Sequence, residues 1–165
     1  MKRHIQMTIA TVLLSALATP VRASGGHDDH QHGAAERGHA SAVGEAARAD
    51  TATKTIHVDM LDTMRFAYQQ PLLIRGGETV RFVVTNRGRL NHEFSIGTAA
   101  EQQRHAAMMR AMPDMRHQDG NTLSLAPGAT GEITWRFQGD PEVVFACNIP
   151  GHSEAGMMDR LAVKQ

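Results

Sequence analysis

The sequence predicts an all-β fold: an antiparallel sandwich or barrel of seven to eight short strands with one short helical insert. Three observations predict it. Apolar and polar residues alternate with period two over 55–60, Thr79–Asn86 and 133–137, as in half-buried strands. Turn residues, among them Gly76-Gly77 and Pro127-Gly128, separate the runs at short intervals. Only residues 99–112 have the composition of a helix.

The chain opens with an address. Lys2, Arg3 and His4 precede a mostly apolar run over 5–18, Pro20 breaks it, and Val21-Arg22-Ala23 offers small residues for cleavage. This is the layout of a bacterial secretory signal peptide, residues 1–23, which directs the protein to the periplasm. The run is short for spanning a bilayer, so no membrane association is expected after cleavage. Residues 24–53 are small and polar without hydrophobic period, and read as a disordered arm. The arm holds His27, His30, His32 and His39 around Asp28 and Asp29, so it is either a solvated linker or a weak accessory copper site.

The folded domain is expected over 54–165. Short strands are expected at 55–60, 64–68 and 72–74, the last two on either side of Pro71. Thr79–Asn86, in which Val80, Phe82 and Val84 alternate with Arg81, Val83 and Thr85, is the clearest strand. Further strands are expected at 92–96, 123–126, around Ile133, Trp135 and Phe137, and at 142–147 and 160–164. Thr98 is a plausible N-cap for the helix, with Glu101 three positions on, and Pro113 ends it.

The 165 residues carry 17 basic and 17 acidic side chains. Removing Lys2, Arg3 and Arg22 with the leader leaves 14 basic groups against 17 acidic, a formal charge of −3. Such a balance, with 4% aromatics, argues against nucleic-acid binding. A single cysteine excludes an intramolecular disulfide and a zinc site with two or more thiolates. Ten His and ten Met beside it supply the ligand types that suit copper.

Those types meet in the segment VVFACNIPGHSEAGMMDRLAV. Cys147 ends an apolar strand, His152 follows five residues later and Met157 five after that. Pro150-Gly151 presets a turn that returns His152 towards the sulfur. A trigonal site needs a second imidazole, and His92, at the start of its own strand, is the best candidate. Two His, one Cys and a weak axial Met form the blue-copper electron-transfer donor set, which cycles between Cu(I) and Cu(II).

The stretches MRF (64–66), GGETVRFVVTNRG (76–88), NHEFSIG (91–97), LAPGATGEITWRF (125–137) and FACNIPGHSEAGM (145–157) resemble the cupredoxins, a family that includes plastocyanin, azurin, auracyanin and rusticyanin. The resemblance spans 54–165, and its Cys-x4-His-x4-Met spacing is similar to that of auracyanin and rusticyanin. It implies a Greek-key sandwich of eight strands and a type 1 copper site with His92, Cys147 and His152 as equatorial ligands and Met157 as axial ligand. Many relatives have Gly where this chain has Met158-Asp159, which leaves Met158 as the rival axial ligand. The His-rich arm and a Met-rich insert make the chain most similar to the periplasmic copper-tolerance cupredoxins of proteobacteria.

Several functions are disfavoured by what the chain lacks. A dinuclear copper centre needs two bridging cysteines. A multicopper enzyme needs a His beside the cysteine, but Ala146 and Asn148 flank Cys147, and no His-x-His pair marks a second metal site in the folded domain. The expectation is therefore a monomeric, non-enzymatic protein for copper tolerance, with a one-electron copper site as its means. The alternative is a mobile electron carrier whose partner is a protein such as a cytochrome or a copper oxidase. Met108, Met109, Met112 and Met115 belong to the Met-rich insert. They are expected to pack the helix on the sandwich, chiefly through Met108 and Met112, or else to form an accessory Cu(I) site.

Overall fold

The structure, a computed structural model, describes residues 41–164. The expected leader and the four arm histidines His27, His30, His32 and His39 lie outside the described residues. The elements in order are β1 (Gly44–Ala46), a 3-10 turn (Ala49–Thr51), β2 (Lys54–Leu61), β3 (Arg65–Tyr68), β4 (Thr79–Asn86), β5 (His92–Gly97), α1 (Ala99–Ala111), β6 (Thr122–Leu125), β7 (Thr130–Phe137), β8 (Glu142–Ala146) and β9 (Met158–Ala162). Five strands form one sheet in the order β1-β7-β4-β2-β3, and four form the other in the order β6-β5-β8-β9. Among the described residues no helix is long and apolar enough to cross a membrane.

The period-two pattern decides which side chains enter the space between the sheets. Ile56, Val58 and Met60 of β2, Val80, Phe82 and Val84 of β4, and Ile133, Trp135 and Phe137 of β7 are all buried, while their neighbours in sequence face outward. The opposite sheet supplies Phe94, Ile96, Val143 and Phe145 to the same core. Phe82 sits at its centre, with ring centroids 5.5 Å from Phe94, 5.6 Å from Phe145 and 6.2 Å from Phe137.

β5 departs from alternation, because all six of its residues are buried. Its inner face meets the core and its outer face lies under α1. There Gln102, buried on the helix, donates its amide to the Ser95 and Val144 carbonyls at 3.2 and 3.0 Å. The helix starts with a complete capping box, in which Thr98 and Glu101 satisfy each other's backbone N–H groups. Met109, not Met108 or Met112, anchors the helix: Met109 is fully buried and Met112 is 44% exposed. The expected packing pair is corrected accordingly.

Four other expectations change. Residues 41–53, expected to belong to the disordered arm, are ordered. β1 pairs with β7, Val43 is fully buried, and Trp135 donates its indole N–H to the Val43 carbonyl. A short edge strand gains its order from partner backbone, which composition does not register. Residues 72–74 form no strand; after Pro71 the segment is tied by Lys54 Nζ, which donates to the Leu73 carbonyl at 2.6 Å, and by a bridge between Arg75 and Lys164. β9 begins at Met158, two residues earlier than expected, because it pairs with β8 directly after the loop that precedes it. The sandwich is also not wholly antiparallel, since β2 and β4 run parallel.

Truncating the central aromatic should be costly. Phe82→Ala is expected to lower the unfolding free energy by about 3–5 kcal/mol. Leu73→Ala, at a residue 59% exposed, should change it by no more than about 0.5 kcal/mol. Urea denaturation followed by Trp135 fluorescence reads both.

Candidate metal centre

Three of the four residues singled out in the sequence meet at one end of the sandwich. The ligand-type atoms of His92, Cys147 and His152 lie within 4.8 Å of one another. Cys147 follows β8, His92 opens β5, and His152 lies in the loop between β8 and β9. Strands β5 and β8 are antiparallel neighbours, with Ser95 opposite Ala146, so the start of one lies beside the end of the other. That register brings together residues 55 positions apart in the chain.

The loop is closed by its own backbone. His152 N–H donates to the Ile149 carbonyl at 3.0 Å across Pro150-Gly151, and Gly151 takes φ +90°, as the second corner of such a turn requires. Met157 N–H donates to the His152 carbonyl, and Cys147 N–H to the Met157 carbonyl, both at 3.0 Å. As a result the His152 Nδ1 atom stands 3.3 Å from the Cys147 Sγ atom.

Met157 is fully buried in the same core cluster as Cys147. Met158, the rival, is 37% exposed as the first residue of β9. Burial therefore distinguishes the two methionines.

His92 is held by a residue that the sequence did not flag. Asp62 lies 3.0 Å from His92 Nε2 and accepts the backbone N–H groups of Arg89 at 2.7 Å and Leu90 at 3.3 Å. These hydrogen bonds, the Arg89 N–H foremost and the His92 ring next, hold the Asp62 carboxyl below its usual range. A Cβ on Gly88 would collide with Asp62 Oδ1, so only glycine lets the turn approach this closely. With Nε2 committed to Asp62, the His92 Nδ1 atom is buried and has no hydrogen-bond partner. A carboxylate on one ring nitrogen and a bare second nitrogen is the usual setting of a metal-binding histidine.

Burial pushes the Cys147 thiol up to about 12, while backbone N–H groups of Glu93 and Ile149 pull the other way. The Glu93 N–H lies 3.3 Å from the sulfur. His152 is shifted down, first by burial and then by the nearby His92 ring, which favours the neutral, ligating form of its imidazole.

A second three-residue group, which sequence spacing did not reveal, lies on the other face of β5. Glu93, His105 and His117 also place their ligand-type atoms within 4.8 Å of one another.

Comparison with solved structures gives the class. The fold matches the reduced auracyanin of Roseiflexus castenholzii with a TM-score of 0.56 at 21% identity, covering 69% of this chain and 99% of that one. Auracyanin B matches with a TM-score of 0.57 at 21% identity over 74% and 97% of the two chains. Auracyanin A, a "blue" copper protein of Chloroflexus aurantiacus, gives 0.53 at 22% identity over 67% and 98%. The fold is that of a cupredoxin.

No protein-family model matches the sequence. Curated relatives narrow the class. The copper-resistant cuproprotein CopI of Rubrivivax gelatinosus is 44% identical, with 99% of this chain and all of the relative covered. The proteins of the same name from Vibrio cholerae and Pseudomonas aeruginosa are 40% and 36% identical, covering 93% and 76% of this chain and 96% and 84% of theirs. The chain belongs to the CopI family of copper-resistant cuproproteins.

The raised thiol has a direct chemical consequence. In metal-free protein Cys147 should stay protonated well above pH 9, so native-state alkylation at pH 8 should be much slower than for a free cysteine. Its rate should climb towards pH 12 rather than level off near pH 9. Iodoacetamide labelling followed by mass spectrometry, with urea-unfolded protein as the control, measures this.

Proposed function

We propose that this protein holds one copper ion between His92, Cys147 and His152, with Met157 as the axial donor, and serves copper tolerance in the periplasm. The observation that carries the reading is the buried, partnerless His92 Nδ1 atom, clustered with a thiol and a second imidazole. Two imidazoles, one thiolate and a thioether are the type 1 copper donor set. Bound copper supplies one-electron chemistry between Cu(II) and Cu(I).

The chain's own groups prepare that site. Asp62 fixes the His92 ring with Nδ1 bare. The Glu93 N–H stabilises negative charge on Cys147, whose proton leaves when a cation replaces it. The 147–157 hydrogen bonds set the third and fourth donors without waiting for the metal. Family membership supports the tolerance role, because the relatives are named as copper-resistant cuproproteins and two of them are covered at 96% or more of their length. The apolar run at 5–18 with its small-residue cleavage point supports export.

One observation favours a second reading, in which the protein carries electrons to or from a redox partner. His152 is only half-buried, and exposed Pro150, Gly151 and Ala155 surround it without bulk. Loss of the protein separates the two: a copper-tolerance role predicts poor growth in added copper, and a pure carrier role predicts normal growth.

Visible absorption tests the site itself. Cu(II)-loaded protein should show an intense thiolate-to-copper band that Cys147→Ser abolishes. Met157→Leu should shift the band or the reduction potential, whereas Met158→Leu should leave both unchanged. A band that survives Cys147→Ser would remove the reading.

A further inference from the structure

Two buried side-chain nitrogen or oxygen atoms among the described residues have no hydrogen-bond partner. One is His92 Nδ1, in the centre described above. The other is His117 Nε2, and it belongs to the second cluster, on the outer face of β5.

The two histidines are set up alike. His117 Nδ1 lies 2.8 Å from Asp119 Oδ2, and its Nε2 has no partner. The side chain is 10% exposed. Its backbone is pinned to β6, with His117 N–H donating to Ser124 Oγ at 2.9 Å and Ser124 N–H to the His117 carbonyl at 2.8 Å. The His105 ring, carried on α1, lies with its centroid 4.7 Å from that of His117. His105 Nε2 stands 2.8 Å from Glu93 Oε1, and Glu93 is fully buried. His105, Met108, His117 and Asp119 line an open cleft of ≈ 360 Å³, which gives solutes a way in.

We propose that Glu93, His105 and His117 form a second metal site, separate from the cysteine centre, for a divalent first-row transition cation. The Glu93 carboxylate meets the His105 ring, the Ser124 hydroxyl and the Asn148 N–H, but the buried His117 Nε2 atom in the same cluster has no partner, a poor final arrangement for a polar group. A cation resolves it by giving His117 Nε2 a partner, with His105 Nε2 and the Glu93 carboxylate as the other donors. Asp119 orients His117 from behind, as a carboxylate commonly does for a metal-bound imidazole. Two imidazoles and one carboxylate favour Cu(II) over the other divalent ions of the series. This site has no thiolate, so it contributes no thiolate band.

The test uses full-length protein in which His27, His30, His32 and His39 are changed to Ala, which removes competing imidazoles. Saturation with Cu(II), gel filtration and metal analysis then count bound ions, with and without His105→Ala and His117→Ala together. The expected result is the loss of one equivalent with the thiolate band retained, which also shows that the variant folds. An unchanged count would overturn the proposal. Titration of the parent with Zn(II), followed by imidazole NMR, checks the site without any substitution at it. Shifts at His105 and His117 are expected, and their absence at saturating Zn(II) would overturn the proposal. The count of this ion does not depend on the thiolate band, so failure of the cysteine centre and failure of this site give different results.

Discussion

One carboxylate, Asp62, ties the chain after β2 to the turn before β5, and the geometry of the cysteine centre rests on that tie. It accepts two backbone N–H groups from the turn and meets the far nitrogen of His92. Among the described residues Asp62 is the one hydrogen-bond partner of the His92 ring nitrogens. Asn86 braces the same turn from inside, donating to the Leu90 and Leu125 carbonyls at 2.8 and 3.0 Å and accepting the Gly88 N–H at 2.9 Å. A ring held by Asp62 beside a braced turn loses little freedom on meeting a ligand, so the cost of ordering the site falls on folding rather than on binding.

β5 gives the protein two polar faces from one strand. Successive side chains point to opposite sides, so His92 faces the cysteine and Glu93 faces the helix. Glu93 serves both sides through different atoms. Its N–H reaches the Cys147 sulfur at 3.3 Å, and its carboxylate faces His105 at 2.8 Å and the Asn148 N–H at 3.4 Å. A buried carboxylate is tolerated because α1, β6 and the segment after β8 all supply partners. The helical insert thus closes over polar groups of the sheet, which explains why its own hydrophobic anchoring rests on Met109.

Much of this was legible in the sequence. Strong alternation gave β2, β4 and β7 to within a few residues, since a strand with one buried face must repeat every second position. The Cys147, His152 and Met157 spacing was legible because a short loop fixes its own geometry through Pro150 and Gly151. His92 could be picked out by its place at a strand start, although only the pairing of β5 with β8 explains how that place comes beside Cys147. Asp62, Gly88 and Glu93 were not legible. Asp62 acts on a ring 30 residues away, and no spacing rule links a carboxylate to its target across a turn. The relation of His105 and His117 to Glu93 was not legible either, because it exists only once the helix lies on the sheet. β1 escaped notice because the order of an edge strand comes from its neighbour, here β7.

In the proposed centre a sulfur and two imidazoles converge on one copper ion at the pole where β5 begins and β8 ends. Copper K-edge X-ray absorption fine structure, on protein loaded with a single equivalent of Cu(II), tests it most directly. One short copper–sulfur scattering path is expected, together with the multiple-scattering pattern of two imidazole rings. A shell of nitrogen and oxygen scatterers alone, with no short sulfur path, would contradict it.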